Sequence, residues 1–560
     1  MLDNKLKLVF CWHMHQPEYR NLQSGEFKLP WTYLHVIKDY VDMVAHLEAA
    51  PEAKVVVNFA PILLEQIEEY ARQINSYQHD KTPFTDPLLF ALADDDGIRS
   101  MPLKIIQDCL RANRERQINR YSQFKHLVET AELLIEKDIT HYANVQFVVD
   151  LLMWYNLAWL GETVKLSDAR AQRLLEQGSN YSHADRLEML DIIADQLSHV
   201  LGRYKKLAQK GQIELSVTPY AHPIMPLMLD LKSTHEAMPS APLPELSAYP
   251  DGEARVIWHL QKGVQVFKRF FGFEPKGCWP SEGAISEETL KILDDIGFQW
   301  AASGGSVLGN SLNCSENTRP ESTYHPFTLK KGKLNCFFRD DGLSDLIGFQ
   351  YSKWHGDDAV SDLIVHLEAI ADRKIPDAVV SIIMDGENAW EYFPENGIYF
   401  LSALYKRLSN HPKIQLTTFS ECINQKVEAK PLNKLIAGSW VYGTFSTWIG
   451  DTDKNRGWDM LGDAKKMFDR VMLKNGDIDA ALREKAILQL AVCEGSDWFW
   501  WFGDYNPNDA VSSFEKQFRL NLANLYYLLG EEPPAYLSLS FTQGSGTPAM
   551  GGTMRHGTEH

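Results

Sequence analysis

The sequence predicts an α/β fold whose mainly parallel sheet closes, or nearly closes, into a barrel. Three observations predict it. Short apolar runs recur, each followed by a polar or glycine-rich loop. Helix-period segments lie between most of them. Seven or eight such runs fall within roughly 420 residues, which fits alternating strands and helices around a parallel sheet.

In chain order the expected strands are KLKLVFCW (5–12), AKVVVNFA (53–60), QIELSVT (212–218), the run into GCW (277–279), FQWAAS (298–303), LNCFFR (334–339) and AVVSIIM (378–384), with KIQLTTF (413–419) a further candidate. Segments such as 36–49 and 256–271 carry the helix period between them. Two inserts interrupt the alternation: 65–205 is helical almost throughout, and 230–252 is proline-rich and expected to be loop. Strands stop near 455, and 461–530 read as helices. The expected division is a barrel over 1–430 holding the helical insert at about 65–205, a C-terminal helical domain over 431–535, and a disordered tail over 536–560, small and polar in composition. No GxGxxG follows a strand and no GxxxxGK[ST] occurs, so dinucleotide and P-loop readings lose their support.

Bulk properties narrow the partners. The chain has 560 residues and a formal net charge of −18, which disfavours nucleic acid and anionic membranes because their phosphates would be repelled. The 15 Trp and 22 Tyr often stand beside polar residues, an arrangement suited to sugar stacking and also common at helix packing interfaces. Seven scattered cysteines show no CxxC or Cys/His spacing, which argues against a disulfide framework and a structural zinc. The N-terminal apolar run is too short for a signal peptide, and no stretch approaches the ~20 residues that span a bilayer. The expectation is a soluble, cytoplasmic protein.

In α/β barrels reactive side chains gather in loops at the carboxyl ends of strands. Those ends carry Trp12, His13, His15, Gln16 and Glu18; then His222; Trp279 and Glu282; Ser303, Gly304 and Gly305; Arg339, Asp340 and Asp341; and Asp385, Glu387, Asn388, Trp390 and Glu391. Glu214 lies on the 212–218 strand itself. Each has a bland alternative. Glu282 in GCWPSEGAIS can favour a helix start that Ser281 or Ser286 caps. His13 and His15 have a metal-ligand spacing, but a histidine pair beside Trp and Gln equally suits hydrogen bonds to hydroxyl groups. Asp385-Gly386 is also a turn signal. Taken together, Glu282 and Asp385 at neighbouring strand ends can flank a glycosidic bond, one attacking the anomeric carbon and one protonating the leaving oxygen. Trp279, Trp390, Trp448 and Trp458 offer apolar faces for pyranose rings.

The chain resembles glycoside hydrolase family 57, whose five signature regions occur in order: HMHQPE (13–18), GQIELSVTPYAHPIMPL (211–227), GCWPSEGAIS (277–286), MDGENAWEYF (384–393) and SWVYGTFSTWIGDTDKNRGWDML (439–461). Stretches such as LPWTYLHVIKDYVDM and CEGSDWFWWFGDYN are similar to the amylopullulanase-like branch. The resemblance implies a (β/α)7 barrel, an incomplete TIM-like closure, followed by a helical bundle. It implies action on α-glucans or maltooligosaccharides with retention, by double displacement, and without a catalytic metal or other cofactor. The nucleophile falls on Glu282 and the acid/base on Asp385. His13, His15 and His222 match positions lining the donor sugar, and Glu214 and Glu387 match acidic positions. Trp448, Trp458 and 498–504, ending at Asp504, would close the cleft.

The leading expectation is an amylase or amylopullulanase cutting α-1,4 and also α-1,6 linkages. A 4-α-glucanotransferase or branching enzyme would share its intermediate. A metal-dependent sugar enzyme using His13 and His15, and a glucan-binding protein without turnover, are the readings of other classes.

Overall fold

The computed structural model describes residues 5–313, 323–330, 332–474 and 479–546. Ten strands form one sheet: β1 (Leu6–Met14), β2 (Val55–Phe59), β3 (Ile213–Val217), β4 (Gly277–Cys278), β5 (Trp300–Ser303), β6 (Phe327–Leu329), β7 (Asn335–Phe338), β8 (Val379–Asp385), β9 (Ile414–Leu416) and β10 (Lys430–Leu432). Their order is β10-β6-β7-β5-β4-β3-β2-β1-β8, with β9 beside β1. Neighbours are parallel except β6 with β7. Seven strands, β1 to β5 with β7 and β8, curl into the expected barrel. Its seam is a parallel bridge from Arg339, just past β7, to Ser381 in β8. The Asp340 amide donates to the Ser381 carbonyl at 2.8 Å, and Arg339 Nε donates to the Ile383 carbonyl at 2.8 Å. All eight expected strands form. The two unexpected ones, β6 and β10, are three-residue pieces, too short to show a run.

Parity along each strand decides what enters the barrel, because side chains alternate between the two faces. Val9 and Cys11 of β1, Val56 of β2, Trp300 and Ala302 of β5, Phe337 of β7, and Val379 and Ile383 of β8 form an interior cluster with Trp279 and Phe419. Leu8, Phe10 and Trp12 belong instead to the larger core beneath the helices. Both faces of a barrel strand are therefore apolar, which is why its sequence reads as a continuous run. Gly277 is required by contact, since a Cβ there would lie 1.8 Å from the Trp300 indole. Continuing each inward series by two places His13, Asn58, Thr218, Arg339 and Asp385 at the carboxyl end, where the filling turns polar.

Between β2 and β3 the chain is helical, with breaks, from Pro61 to Gln209. Val145–Trp159 is buried on nearly all sides and forms the centre of this insert. The 230–252 stretch holds only the turns Leu231–Ser233 and Thr234–Ala237 before the helix Gly252–Phe271 begins. After β10 the described residues form the helices Thr452–Lys474, Ala480–Cys493, Ser496–Trp501 and Asn508–Leu528. They are tied to the barrel through Glu494, a buried carboxylate that accepts from Arg255 (2.8 and 2.6 Å), His259 (2.8 Å) and Tyr249 (2.6 Å).

The tail expected to be disordered from 536 is ordered as far as 546. Its amides at Ser545 and Gly546 donate to the carbonyls of Asp504 and Asn506, and Phe541 meets Phe502 edge-on at 5.0 Å. Apolar contact and backbone pairing fix a segment whose composition alone gives no core. Residues 547–560 lie outside the described residues. The described cysteines are all unpaired and buried; Cys314 lies outside them. Among the described residues no helix is long and apolar enough to cross a membrane.

Candidate active site

A cavity of about 540 Å³ opens at the carboxyl end of the barrel strands. Its floor carries His13, His15, His222, Glu282, Asp385 and Glu387. Trp440, Trp500, Trp501 and Tyr505 line it from the C-terminal third, and Trp31 and Trp159 line it from the helices on either side of β2.

Glu282 sits in a tight turn, Ser281–Gly283, directly after β4. The helix that follows, Glu287–Ile296, is capped by Ser286, whose hydroxyl accepts from the Thr289 amide at 3.2 Å. Glu282 is thus free of capping and faces the cavity. Its φ of +58° lies in the left-handed region, which costs a non-glycine residue about 1–2 kcal/mol. His222 has the same conformation, φ +60°. Both are pinned by amides from the C-terminal third: Trp440 donates to the Glu282 carbonyl at 3.0 Å and Ser496 to the His222 carbonyl at 2.9 Å. The Glu282 carboxylate accepts from Trp440 Nε1 at 2.9 Å. Burial pushes its pKa well above the usual range, and Asp385 and Asp497 push the same way, against the Trp440 and Ser496 donors.

Asp385 ends β8, in register with His13 of β1. It accepts from Asn388 Nδ2 at 2.9 Å. Burial raises its pKa, and Asp497 adds to this, while Asn388, His15 and Arg339 oppose it. Glu387 gathers the His15 amide, Gln16 Nε2 and Tyr40 hydroxyl on Oε1 at 3.1–3.2 Å, leaving its buried Oε2 without a partner among the described residues. Burial and then Asp385 raise it well above the carboxylate range. Burial and like charge thus act in one direction on all three carboxyls, favouring the protonated form.

His15 Nε2–H donates to Asp497 Oδ1, 2.8 Å away, and the ring stacks on His222 with centroids 3.8 Å apart. Its Nδ1 is buried with no partner among the described residues. His15, His222 and Asp497 have ligand atoms within 4.8 Å of one another. The two imidazoles, however, are nearly parallel, at 16°. An imidazole lone pair lies in its ring plane, so stacked rings direct theirs along parallel planes. A metal would require one ring to rotate and His15 to release Asp497.

Of the residues singled out in the sequence, His13, His15, His222, Glu282, Asp385 and Glu387 meet at the cavity, as do Gln16, Arg339, Asn388 and Glu391. Others do not. Glu214 points into the barrel but at its opposite end, accepting from Trp300 Nε1 at 2.7 Å and the Ser420 amide at 3.0 Å. Trp279 is fully buried in the barrel-interior cluster and does not line the cavity. It crowds Gly283 (φ +57°), where a Cβ would lie 2.8 Å from its ring. Trp390 is core, its Nε1 bound to the Gly386 carbonyl. Trp448 and Trp458 are core of the C-terminal helices, joined by a 3.0 Å bond from Trp458 Nε1 to the Trp448 carbonyl. Asp504 is exposed and outside the cavity lining. Sequence reading missed Asp497, Trp440, Trp31 and Trp159. Asp497 had one signal, an acid abutting the dense aromatic run 498–502.

Comparison with known proteins places these features in context. The family model described as Glycosyl hydrolase family 57 matches residues 9–435. An alpha-amylase of Pyrococcus horikoshii is 25% identical over 230 residues, covering 40% of this chain and 30% of that protein. A 4-alpha-glucanotransferase of Thermococcus litoralis is 22% identical over 245 residues, covering 42% and 31%. Each match therefore spans less than a third of the relative's own length. Among solved structures, a GH57-type branching enzyme from Pyrococcus horikoshii aligns with a TM-score of 0.57 at 15% identity, covering 96% of this chain and 92% of that one. The alpha-amylase AmyC from Thermotoga maritima gives 0.56 at 13%, covering 94% and 93%. At such identities the likeness is one of fold.

Proposed function

The chain belongs to glycosyl hydrolase family 57, and from this premise we propose that it is a retaining α-glucan hydrolase of the amylase or amylopullulanase type. The observation that carries the reading is the pairing of Glu282 with Asp385 in one cavity, where Asp385 is the strongest charge acting on Glu282. Glu282, held by the Trp440 indole, attacks the anomeric carbon. Asp385, in its protonated form, gives its proton to the leaving oxygen and then takes one from the incoming acceptor. The buried, unpartnered His15 Nδ1 and Glu387 Oε2 are polar atoms that a sugar hydroxyl would satisfy, and the surrounding indoles suit pyranose faces.

A second reading, transfer to another glucan, is favoured by the aromatic wall of Trp500, Trp501 and Tyr505, which would hold a sugar acceptor and exclude water. The unpaired buried cysteines support a cytoplasmic site of action on storage glucan or maltodextrin; fractionation of source cells, with activity expected in the cytosol, checks it.

The deciding experiment is the product profile on maltoheptaose and on pullulan. Only shorter chains mean hydrolysis, and chains longer than the substrate mean transfer. Panose or maltotriose from pullulan reports the linkage cut. Glu282→Gln and Asp385→Asn should each abolish turnover. Wild-type protein inert on all α-glucans would leave a binding protein, and full activity in both variants would remove these two residues from the chemistry.

A further inference from the structure

The aromatic side of the cavity depends on a loop with little structure of its own. The helix Ser496–Trp501 gives way at Phe502, and residues 502–507 run as loop and turn before the helix Asn508–Leu528. Trp500, Trp501, Tyr505 and Asn506 of this stretch line the cavity. A surface loop is mobile unless other parts of the chain hold it. This one has two anchors.

The first is Lys454, a buried residue of the helix Thr452–Lys474. Its ammonium lies 2.6 Å from the Thr447 carbonyl, 2.8 Å from that of Phe499, 2.9 Å from that of Phe502 and 2.7 Å from the Tyr505 hydroxyl. The Tyr505 hydroxyl and Asn506 Nδ2 both donate to the Trp500 carbonyl, at 3.2 and 2.9 Å. These contacts fix the start of the loop and the tip of the Tyr505 ring.

The backbone from 503 to 506 is held by the second anchor, residues 541–546 (FTQGSG). Phe541 fastens this segment: its amide donates to Glu515 Oε1 at 3.1 Å and its ring meets that of Phe502 at 5.0 Å. The Gly503 amide then donates to Thr542 Oγ1 at 3.1 Å. The Ser545 amide and hydroxyl both donate to the Asp504 carbonyl, at 2.8 and 3.1 Å, and the Gly546 amide donates to the Asn506 carbonyl at 3.1 Å. The two backbones lie in direct contact. A Cβ at position 544 would fall 2.3 Å from the Asn506 carbonyl oxygen, and one at 546 would fall 1.9 Å from that of Tyr505. Glycine is required at both places by closeness of approach.

We propose that residues 541–546 are a positioning segment for glucan binding, holding the 503–506 backbone so that Tyr505 and Trp500 stand in place before the sugar arrives. The inference rests on the reading of the cavity as a glucan site. Ordering a loose side chain on binding takes away part of the affinity its contact supplies, and a ring already in place avoids that loss. The segment itself does not line the cavity; it acts through the loop. Its removal should therefore weaken binding and spare the chemical step.

The test is steady-state kinetics on maltoheptaose, with two trimmed chains and one substitution. A chain ending at Ser540 loses the segment, and a chain ending at Gly546 keeps it. The Ser540 chain should show KM raised about 3- to 10-fold and kcat within about twofold of the full-length value, because the lost binding is common to ground and transition states. The Gly546 chain should match the full-length protein. Gly546→Val keeps the whole chain, drives the segment off the Tyr505 carbonyl, and should raise KM in the same way. If the Ser540 chain fails to fold, the substitution decides alone. An unchanged KM in Gly546→Val, a fall in kcat without a rise in KM, or an equal rise in the Gly546 chain overturns the proposal. If the full-length protein binds maltoheptaose without cleaving it, Kd from quenching of tryptophan fluorescence takes the place of KM, with the same shifts expected. A full-length protein that neither binds nor cleaves α-glucan defeats the glucan reading itself, and the positioning role with it.

Discussion

Trp440 grips Glu282 at both ends, its amide donating to the Glu282 carbonyl at 3.0 Å and its indole Nε1–H to Oε2 at 2.9 Å. The backbone contact supports the left-handed turn, and the side-chain contact favours the charged carboxylate. Trp440→Phe keeps the ring and the amide but removes the indole hydrogen. A hydrogen bond to a charged group is worth about 1.5–3 kcal/mol, so kcat/KM should fall about 10- to 100-fold, and its acidic limb should move to higher pH because Glu282 becomes easier to protonate. A profile that keeps its wild-type limb would show that the indole does not tune Glu282.

Asp497 raises the pKa of both Glu282 and Asp385. Removing its charge lowers both, so Asp497→Asn should shift the whole pH–activity profile toward acid, both limbs in the same direction, by about half to one unit. Its contact with His15 Nε2 at 2.8 Å survives as a neutral hydrogen bond. Movement of one limb alone would mean that Asp497 acts on one carboxyl and not on the pair.

Glu494 links stability to pH. Burial works against its charge, but Arg255 and His259 hold its pKa down to about 2, from an ordinary 4.5. The folded value is the lower, so its contribution is complete above about pH 4.5 and is lost as pH falls toward 2; the ceiling is about 3 kcal/mol. His259 acts in the same sense. Burial lowers its pKa, so below about pH 6.5 the unfolded chain binds a proton that the folded chain does not. Arg255→Met strands the buried carboxylate at a cost of about 3–5 kcal/mol. The acid-unfolding midpoint, followed by circular dichroism, should rise in this variant, and an unmoved midpoint would count against the ion pair.

Dialysis against a chelator should leave turnover of α-glucan unchanged, because the stacked His15 and His222 rings do not converge on a common ion. Recovery of lost activity on adding back zinc, with one equivalent bound by elemental analysis, would reverse that conclusion.

The barrel was legible in the sequence because parallel strands covered on both faces are written as unbroken apolar runs, and the residues just past those runs gave His13, His15, His222, Glu282 and Asp385. Glu214 shows the limit of that reasoning. Its parity correctly points it inward, but it stands at the start of β3 and faces Trp300 and Ser420 at the far end of the barrel. The tryptophans show another. An indole beside polar residues reads alike whether it walls a cavity, as Trp440 and Trp500 do, or lies in the core with its N–H on a carbonyl, as Trp390 and Trp458 do. Asp497 reaches the site only because the chain after Glu494 folds back onto the barrel, a tertiary fact with no local periodicity.

The contact between His15 and Asp497 joins residues 482 positions apart. At ~5–20 residues per second, a ribosome needs on the order of 25–100 s to reach the second after making the first. The nascent barrel therefore emerges with an unfinished cleft, without the wall that Trp440, Trp500 and Trp501 supply. Catalytic competence arrives in one late step, when the segment holding Ser496 and Asp497 docks beside His222. A chain that stops before Ser496 lacks the amide that pins the left-handed His222 and the carboxylate that meets His15.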